Sequence, residues 1–128
     1  MSLKNSLRVM VIDDMSVSRG LLSQALEDIG IWQIQVESSA VRAFSKLSQN
    51  AVHLVLCDYN MPEMNGLELL KKLRAGHSTR KIGFILVTGS VTKEIVEKGR
   101  SLMLNNIIKK PFTNESLKKS IETVVGRI

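Results

Sequence analysis

The chain has 128 residues, of which 44% are apolar and 23% are charged, and its formal net charge is +6. This length predicts one globular domain, residues 1–128, and leaves no room for a second domain of ordinary size. The sequence shows no apolar run long enough to span a membrane, no basic-then-apolar leader, and too few aromatic residues to stack nucleic-acid bases. Its single cysteine, Cys57, excludes an internal disulfide and favours the reducing cytoplasm.

The first part of the chain passes from a strand pattern to a helix pattern. Residues 7–12 form an apolar run rich in β-branched side chains, which predicts a buried strand. Helical spacing follows, and we expect Ser16 to cap this first helix and Gly30 to end it. The predicted buried stripe of the helix consists of Val17, Leu21, Ala25 and Ile29, widened by Leu22 and Leu26.

The same alternation continues to the end of the chain. Further strands are predicted at residues 34–38, 53–58, 83–89 and 106–110. Apolar residues at helical spacing mark four more helices, namely Val41, Phe44 and Leu47, then Leu67, Leu70 and Leu73, then Ile95 and Val96 within 92–102, and finally Leu117, Ile121, Val124, Val125 and Ile128. We expect Ser39 to cap the second helix, the Asn65-Gly66 turn to open the third, and Thr113 to cap the fifth.

The order of these elements predicts the fold class. Five β-α units follow one another, and the strands are mostly continuous apolar runs, which is typical of a parallel sheet covered on both faces. Because the crossovers between parallel strands are right-handed, we expect an α/β, doubly wound, three-layer fold. Ligands of such sheets bind beyond the carboxyl ends of the strands.

Polar residues stand at four of the predicted strand ends. Asp13 and Asp14 follow the first strand, Asp58 ends the third, Thr88 closes the fourth and Lys110 the fifth. In the expected fold these residues converge on one edge of the sheet. Taken singly, each has an ordinary structural explanation, such as a helix cap or a surface charge, but their recurrence at four strand ends favours a site.

The residue types indicate the chemistry of this site. Three neighbouring carboxylates repel one another, so a positive charge is required among them. Lys110 supplies one charge, and a hard divalent cation such as Mg²⁺ prefers the same oxygen ligands. A carboxylate beside a cation, an ammonium and a hydroxyl is suited to phosphoryl transfer, and the carboxylate can itself be the nucleophile.

Four segments of the chain together resemble the receiver domain of two-component response regulators: VIDD (residues 11–14), CDYNMPEMNG (57–66), LVTGS (86–90) and KKPF (109–112). The resemblance covers essentially the whole chain and implies a flavodoxin-like (βα)5 fold. It also implies that Asp58 is the phosphoacceptor, that Lys110 pairs with the carboxylate and then with the phosphoryl group, and that the Thr88 hydroxyl moves toward the phosphoryl oxygen.

The resemblance further implies a metal site and residues that tune the signal. Asp14 and Asp58 would bind Mg²⁺ (or Mn²⁺) directly with the main-chain carbonyl of Asn60, and Asp13 would act beside them, directly or through water. Asn60 and Ser90 occupy the positions that tune hydrolysis of the acyl phosphate. Both are small and polar, which leaves room for an attacking water. Pro111 corresponds to a proline that follows a cis peptide bond in this family.

Three features depart from the family pattern. The usual switch aromatic, which works together with the threonine corresponding to Thr88, is replaced by Ile107, and Met103-Leu104 replaces the usual Gly-Ala pair, so we expect Asn105 or Asn106 to form the turn instead. The chain is also basic where many single-domain receivers are acidic. On the usual output face, made by helix four, strand five and helix five, it carries Lys93, Lys98, Arg100, Lys109, Lys118 and Lys119. We therefore expect an acidic partner at that face.

The resemblance implies a single-domain response regulator without an output domain, located in the cytoplasm. A histidine kinase or phosphotransfer protein would phosphorylate it, and it would signal by binding a target, with a role in chemotaxis favoured over a phosphorelay intermediate. It would be no enzyme beyond its own phosphorylation and dephosphorylation. Two further alternatives are a receiver-like module that binds without phosphorylation and an aspartyl-nucleophile phosphatase of the haloacid dehalogenase type. Phosphatases of that type need a second acid two residues after the nucleophile, and this chain has Asn60 there. A dinucleotide-binding domain is also disfavoured, because the chain has no G-x-G-x-x-G motif after its first strand.

Overall fold

The computed structural model describes residues 3–128. Met1 and Ser2, which the sequence analysis includes in the predicted domain and in the stretch without a leader pattern, lie outside the described residues. The elements in chain order are α1 (Leu3–Ser6), β1 (Arg8–Ile12), α2 (Ser16–Ile29), β2 (Gln33–Glu37), α3 (Ala40–Gln49), β3 (Leu54–Asp58), α4 (Gly66–Ala75), β4 (Gly83–Thr88), α5 (Lys93–Ser101), β5 (Asn106–Lys109) and α6 (Asn114–Val125). The short α1 was not predicted, so the predicted first to fifth helices are α2 to α6.

The five strands form one parallel sheet in the order β2-β1-β3-β4-β5, which confirms the predicted doubly wound fold. From β1 the chain first moves outward to β2 and then crosses back to β3 on the other side of β1. This reversal is the topological switch point of the flavodoxin-like strand order, and it opens a crevice between the carboxyl ends of β1 and β3.

Alternate residues of the central strands face two separate cores, because successive side chains of a strand point to opposite faces. Met10, Val55 and Phe84 pack with α3, α4 and α5 on one face, whereas Val9, Leu54 and Ile85 pack with α2 and α6 on the other. Cys57 belongs to the first core and is fully buried. Burial raises the pKa of its thiol well above the ordinary value, and the carboxylates of Asp58 and Asp13 raise it further.

The predicted orientation of α2 was wrong in part. Leu22, Ala25 and Leu26 are its buried residues. Val17 and Leu21, predicted to be buried, are 71% and 61% exposed. The face of α2 that packs against the sheet is therefore the one with Leu22 and Leu26, not the one with Val17 and Leu21. Both faces are apolar, so helical spacing alone could not show which of them is buried.

Two predicted local features of α2 and α3 were also wrong. Ser16 is the first residue of α2 rather than its cap; Met15 holds the cap position, and its N–H donates to the Asp13 carboxylate at 3.0 Å. In α3, Ser39 caps the helix as expected, but Val41 faces outward with 44% exposure, while Ala40, Ala43 and Leu47 are buried. The small alanine side chains bring this face of α3 close to the sheet.

The edges of the sheet differ from the expectation of strands buried on both faces. Residues of β2 are largely exposed, and Val36 is 49% exposed, because β2 is an edge strand.

Before β5, the left-handed residue of the turn is Met103 (φ 60), not Asn105 or Asn106. The side chain of Asn105 instead accepts hydrogen bonds from the Phe84 N–H and from Arg74. Asn105 therefore links the turn to β4 and to Arg74 through its side chain, and it does not form the left-handed turn that was expected.

Arg74 joins three parts of the fold at the end of α4. Its guanidinium donates to the carbonyl oxygens of Arg80 (2.9 Å), Ile82 (2.7 Å) and Met103 (3.1 Å) and to Asn105 Oδ1 (3.0 Å). It thereby ties α4 to the start of β4 and to the turn before β5.

Within the described residues no helix is long and apolar enough to cross a membrane.

Candidate functional site

The carboxyl ends of β1, β3, β4 and β5 meet at one edge of the sheet and bring five predicted site residues to the same crevice. Asp13 and Asp14 directly follow β1, Asp58 and Thr88 end their strands, and Lys110 follows β5. The register pairs Ile12 with Cys57 and Asp58 with Val87, so these strand ends lie level with one another.

Lys110 connects the acidic residues. Its Nζ atom lies 3.3 Å from Asp13 Oδ2 and 3.3 Å from Asp58 Oδ1, and both carboxylates are largely buried. The ammonium also donates to Ser18 Oγ at 2.9 Å. The Lys110 main-chain N–H donates to the Thr88 carbonyl at 2.8 Å, which continues the β4–β5 pairing beyond the strand and fixes the origin of the long side chain.

Asp58 is held in a confined position with 9% exposure. Burial raises its pKa above the ordinary value of 3.8, the neighbouring Lys110 ammonium opposes this rise, and the Asp13 carboxylate adds to it. Its main chain is in contact with the start of α4, because a Cβ at Gly66 would lie 2.7 Å from the Asp58 carbonyl oxygen. The glycine that ends the CDYNMPEMNG motif is therefore required by a close approach to the backbone of Asp58.

Asp13, Asp14 and Asp58 form a cluster that fits a metal ion. One carboxylate oxygen from each residue lies within 4.8 Å of the other two. Asp13 is fully buried, Asp14 is exposed, and oxygen donors with this charge suit a hard divalent cation. The donor set is therefore compatible with the predicted cation, since one oxygen from each of three residues can reach a common centre.

Asp13 also organises the segment that leads into α2. Its carboxylate accepts from the Met15 N–H, and its main-chain carbonyl accepts from Arg19 Nη1 at 2.9 Å. Its own N–H donates to the Glu37 carbonyl at 3.1 Å, which extends the pairing of β1 with β2. A residue so constrained presents its second carboxylate oxygen to Lys110 in a fixed direction.

Thr88 lies in the crevice but directs its hydroxyl toward the following loop. Its Oγ1 atom accepts from the Ser90 N–H at 3.2 Å and lies 3.4 Å from the Ser90 carbonyl oxygen. Thr88 is 2% exposed, whereas Ser90 is exposed. The hydroxyl is therefore bonded locally to the loop after β4, and a role at a phosphoryl group stays a prediction.

The other predicted site residues lie around this centre. Asn60 is exposed in the loop after β3, and its carbonyl as a metal ligand remains a prediction. Ile107, at the predicted switch position, pairs with Leu86 and packs partly buried against the first core. The Lys110-Pro111 peptide bond is cis, as the resemblance implied.

Ser18 is a site residue that the sequence did not single out. It lies in the first turns of α2 and accepts the shortest hydrogen bond that Lys110 Nζ makes, although the two residues are 92 positions apart. A serine in an amphipathic helix is ordinary by itself. Only the packing of α2 against β1 and α6 brings its hydroxyl to the lysine that follows β5.

The fold and this site together define a class of protein: a doubly wound α/β domain with an acidic crevice and one lysine at its switch point. The model of the response regulator receiver domain matches residues 9–122 of the chain. The chain therefore belongs to the response regulator receiver domain family.

Curated relatives match the chain over nearly all of its length. A probable chemotaxis protein CheY from Rhizobium etli is 35% identical over 128 residues, covering 100% of this chain and 99% of the relative. The chemotaxis protein CheY1 of Helicobacter pylori is 36% identical over 121 residues, covering 94% of this chain and 98% of the relative. The chain thus resembles receivers that consist of one domain.

Solved structures agree with the fold. Chemotaxis protein CheY4 of Vibrio cholerae aligns with a TM-score of 0.86 at 24% identity, covering 93% of this chain and 98% of that one. The receiver domain of the sensor histidine kinase PA1611 of Pseudomonas aeruginosa, solved with a magnesium ion in its active-site cleft, aligns with a TM-score of 0.84 at 18% identity, covering 94% and 98%. At these identities the likeness concerns the fold alone.

Proposed function

We propose that this protein is a single-domain response regulator that accepts a phosphoryl group on Asp58. The observation that supports this best is the position of the Lys110 ammonium, 3.3 Å from both Asp13 and Asp58 in a crevice that also holds Asp14. This arrangement offers a nucleophile and a cation binding set on one side and a fixed positive charge on the other. A histidine kinase or a phosphotransfer protein is the donor.

Transfer in this proposal is a displacement at phosphorus. A carboxylate oxygen of Asp58 attacks the phosphorus of the donor phosphohistidine, the P–N bond breaks, and the imidazole leaves with its electron pair. Lys110 holds a phosphoryl oxygen by its ammonium. Asp14, Asp58 and the Asn60 carbonyl would hold a Mg²⁺ ion (or Mn²⁺), with Asp13 acting directly or through water, and the ion would supply further positive charge to the phosphoryl oxygens.

We further infer that the protein catalyses only its own phosphorylation and dephosphorylation. Asn60 and Ser90 are both exposed, which leaves water access to an acyl phosphate on Asp58. In this proposal the phosphorylated state is therefore transient rather than long-lived. Thr88 then exchanges its local bond to Ser90 for one to the phosphoryl group, and the loop after β4 responds.

The names of the curated relatives support a role in chemotaxis, with a phosphorelay intermediate as the alternative. We propose a cytoplasmic location, consistent with Cys57, which is buried and has no disulfide partner. The target protein binds at the face formed by α5, β5 and α6.

The charge of that face supports an acidic target. All six basic residues predicted there are exposed: Lys93, Lys98, Arg100, Lys109, Lys118 and Lys119. The acidic residues nearby neutralise only part of this charge; Glu97, for example, lies 4.0 Å from Lys93. Exposed charges of one sign increase the rate at which an oppositely charged partner associates. We therefore propose a target with acidic residues at its contact surface.

The exposed apolar residues at and after the cap of α2 support a contact surface for the donor. Met15, Val17 and Leu21 are each more than 60% exposed, and Leu21 lines a groove of about 490 Å³ together with Ser18, Lys110 and Pro111. A donor protein must approach this rim to bring its phosphohistidine to Asp58. We propose that these apolar residues contact it.

Incubation with acetyl phosphate and Mg²⁺, followed by intact-mass measurement, tests the proposed function. The wild-type chain is expected to gain one phosphoryl group, and Asp58→Asn is expected to gain none. Chelation of divalent cations by EDTA should abolish the gain. Asp28→Asn, on the outer part of α2, is a matched control that should react like the wild type.

Other outcomes would contradict the proposal. A wild-type chain that gains no phosphoryl group would favour a receiver-like module that binds without phosphorylation. If Asp58→Asn gained a phosphoryl group to the same extent as the wild type, the phosphoacceptor would be a residue other than Asp58. Rapid turnover of small phosphomonoesters by the pure protein would favour the aspartyl-nucleophile phosphatase.

A further inference from the structure

Ser18 is one of three acceptors that surround the Lys110 ammonium. The ammonium has three donor hydrogens, and the acceptors within reach are Ser18 Oγ at 2.9 Å, Asp13 Oδ2 at 3.3 Å and Asp58 Oδ1 at 3.3 Å. The shortest of the three contacts is to the neutral hydroxyl rather than to a carboxylate. Ser18 is therefore the acceptor nearest to the ammonium.

The hydroxyl of Ser18 is held in place by the first turns of α2. The Met15 N–H bonds to the Asp13 carboxylate and Arg19 Nη1 bonds to the Asp13 carbonyl, so the residues on both sides of Ser18 are fixed to the end of β1. Ser18 itself is half-buried. The hydroxyl and the acidic crevice thus form one rigid unit, whereas lysine has a flexible four-carbon side chain.

The two kinds of acceptor behave differently during phosphoryl transfer. Asp58 becomes the acyl phosphate, and the carboxylates of Asp13 and Asp58 belong to the set that binds the cation. Ser18 carries no charge and takes no part in either change. It is the one acceptor of the three whose bond to Lys110 is not altered by cation binding or by the transfer.

We propose that Ser18 is a positioning residue that holds the Lys110 ammonium beside Asp58 for phosphoryl transfer. This inference rests on the proposed function, since it requires Asp58 to be phosphorylated. Without the hydroxyl, the ammonium has only the two carboxylates as partners and is drawn between them, away from the position of the incoming phosphoryl oxygens.

The first test compares the rate of phosphorylation by acetyl phosphate at saturating Mg²⁺ in three variants. Ser18→Ala is expected to react about five-fold more slowly than the wild type, a typical coupling for groups in direct contact. Ser18→Thr keeps the hydroxyl, and its methyl group has room in the neighbouring groove, so it should restore most of the rate. Ser16→Ala, an exposed serine on the same helix, should react like the wild type.

A double-mutant cycle with Lys110→Met separates positioning from a general structural effect. If Ser18 acts through the lysine, Ser18→Ala should have no further effect on the rate in the Lys110→Met background. An equal loss in both backgrounds would overturn the inference. So would a Ser18→Ala rate equal to that of the wild type, or a Ser18→Thr rate as low as that of Ser18→Ala. A wild-type chain that is not phosphorylated at all would instead refute the proposed function.

Discussion

The substitution Gly66→Ala tests whether the start of α4 is as close to the phosphoacceptor strand as the structure indicates. An added Cβ would lie 2.7 Å from the Asp58 carbonyl oxygen and 2.7 Å from Leu86 Cδ1. The side chain of Leu86 can rotate only within a filled core, and the Asp58 carbonyl belongs to a central strand. Overpacking of this kind costs about 1–3 kcal/mol, so we expect the free energy of unfolding to fall by about 2 kcal/mol.

Gly20 provides the matched control. It lies inside α2, and a Cβ there would have nothing within 4 Å. Because alanine loses less backbone entropy than glycine in a helix, Gly20→Ala should raise the free energy of unfolding by about 0.5–1 kcal/mol. The same chemical change is thus expected to have opposite signs at two positions.

Urea unfolding monitored by circular dichroism measures both effects. The two variants should have equal m values and transition midpoints on opposite sides of the wild type. A Gly66→Ala protein as stable as the wild type would refute the reasoning, because it would mean that the α4 terminus can move away from Asp58 at no cost. A destabilised Gly20→Ala protein would show that the exposed side of α2 is packed against something.

Three further predictions follow from the charges of the molecule. Burial raises the pKa of Asp58 in the folded protein. Protonation of Asp58 therefore stabilises the folded state: this contribution to the free energy of unfolding is fully present below the ordinary pKa of 3.8 and is lost as the pH rises through the raised pKa. Asp58→Asn in EDTA should therefore unfold at higher urea than the wild type at neutral pH, with the difference vanishing below pH 3.8; a difference that does not depend on pH would contradict this. Arg74→Lys should lower the free energy of unfolding by about 2–3 kcal/mol, because lysine cannot reach four acceptors, whereas Arg80→Lys at an exposed position should change it by less than about 0.5 kcal/mol. The double variant Lys118→Glu/Lys119→Glu should weaken binding of the target protein at low salt and less so at high salt, measured by titration calorimetry, and an unchanged affinity at low salt would exclude the acidic contact.

The edge of the sheet that carries the candidate site could be predicted, because the edge depends on strand direction rather than on strand order. An apolar run that ends in a polar residue, such as the one ending at Asp58, places that residue at the carboxyl end of its strand. In a parallel sheet all such ends lie at one edge. Asp13, Thr88 and Lys110 therefore had to lie at the same edge as Asp58 in any arrangement of the strands. Their close approach needs the strand order, in which β1 and β4 flank β3 and β5 lies beside β4, and Lys110 then reaches both Asp13 and Asp58.

Helix starts could be predicted where the capping contact lies within one turn. Ser39 and Thr113 accept from the N–H three residues ahead, and Asn65 does the same at the start of α4. Ser16 is not the cap because the helix begins one residue earlier than predicted: the Arg19 N–H already bonds to the Met15 carbonyl at 2.9 Å, and the Met15 N–H is held by the Asp13 carboxylate at the end of β1. The capping residue could thus be predicted where a side chain accepts from the first turn, and not where, as at Met15, no side chain caps the helix.

The sequence by itself determined the order of the elements, the parallel sheet and the residues that stand at its carboxyl edge, since each of these depends on patterns within a few residues. Only the tertiary structure decided that Leu22 rather than Leu21 enters the core, that Gly66 touches the backbone of Asp58, and that Ser18 reaches Lys110. These facts depend on how a helix is rotated and how closely it approaches the sheet. That geometry is set by the packing of side chains from distant parts of the chain, which no local pattern records.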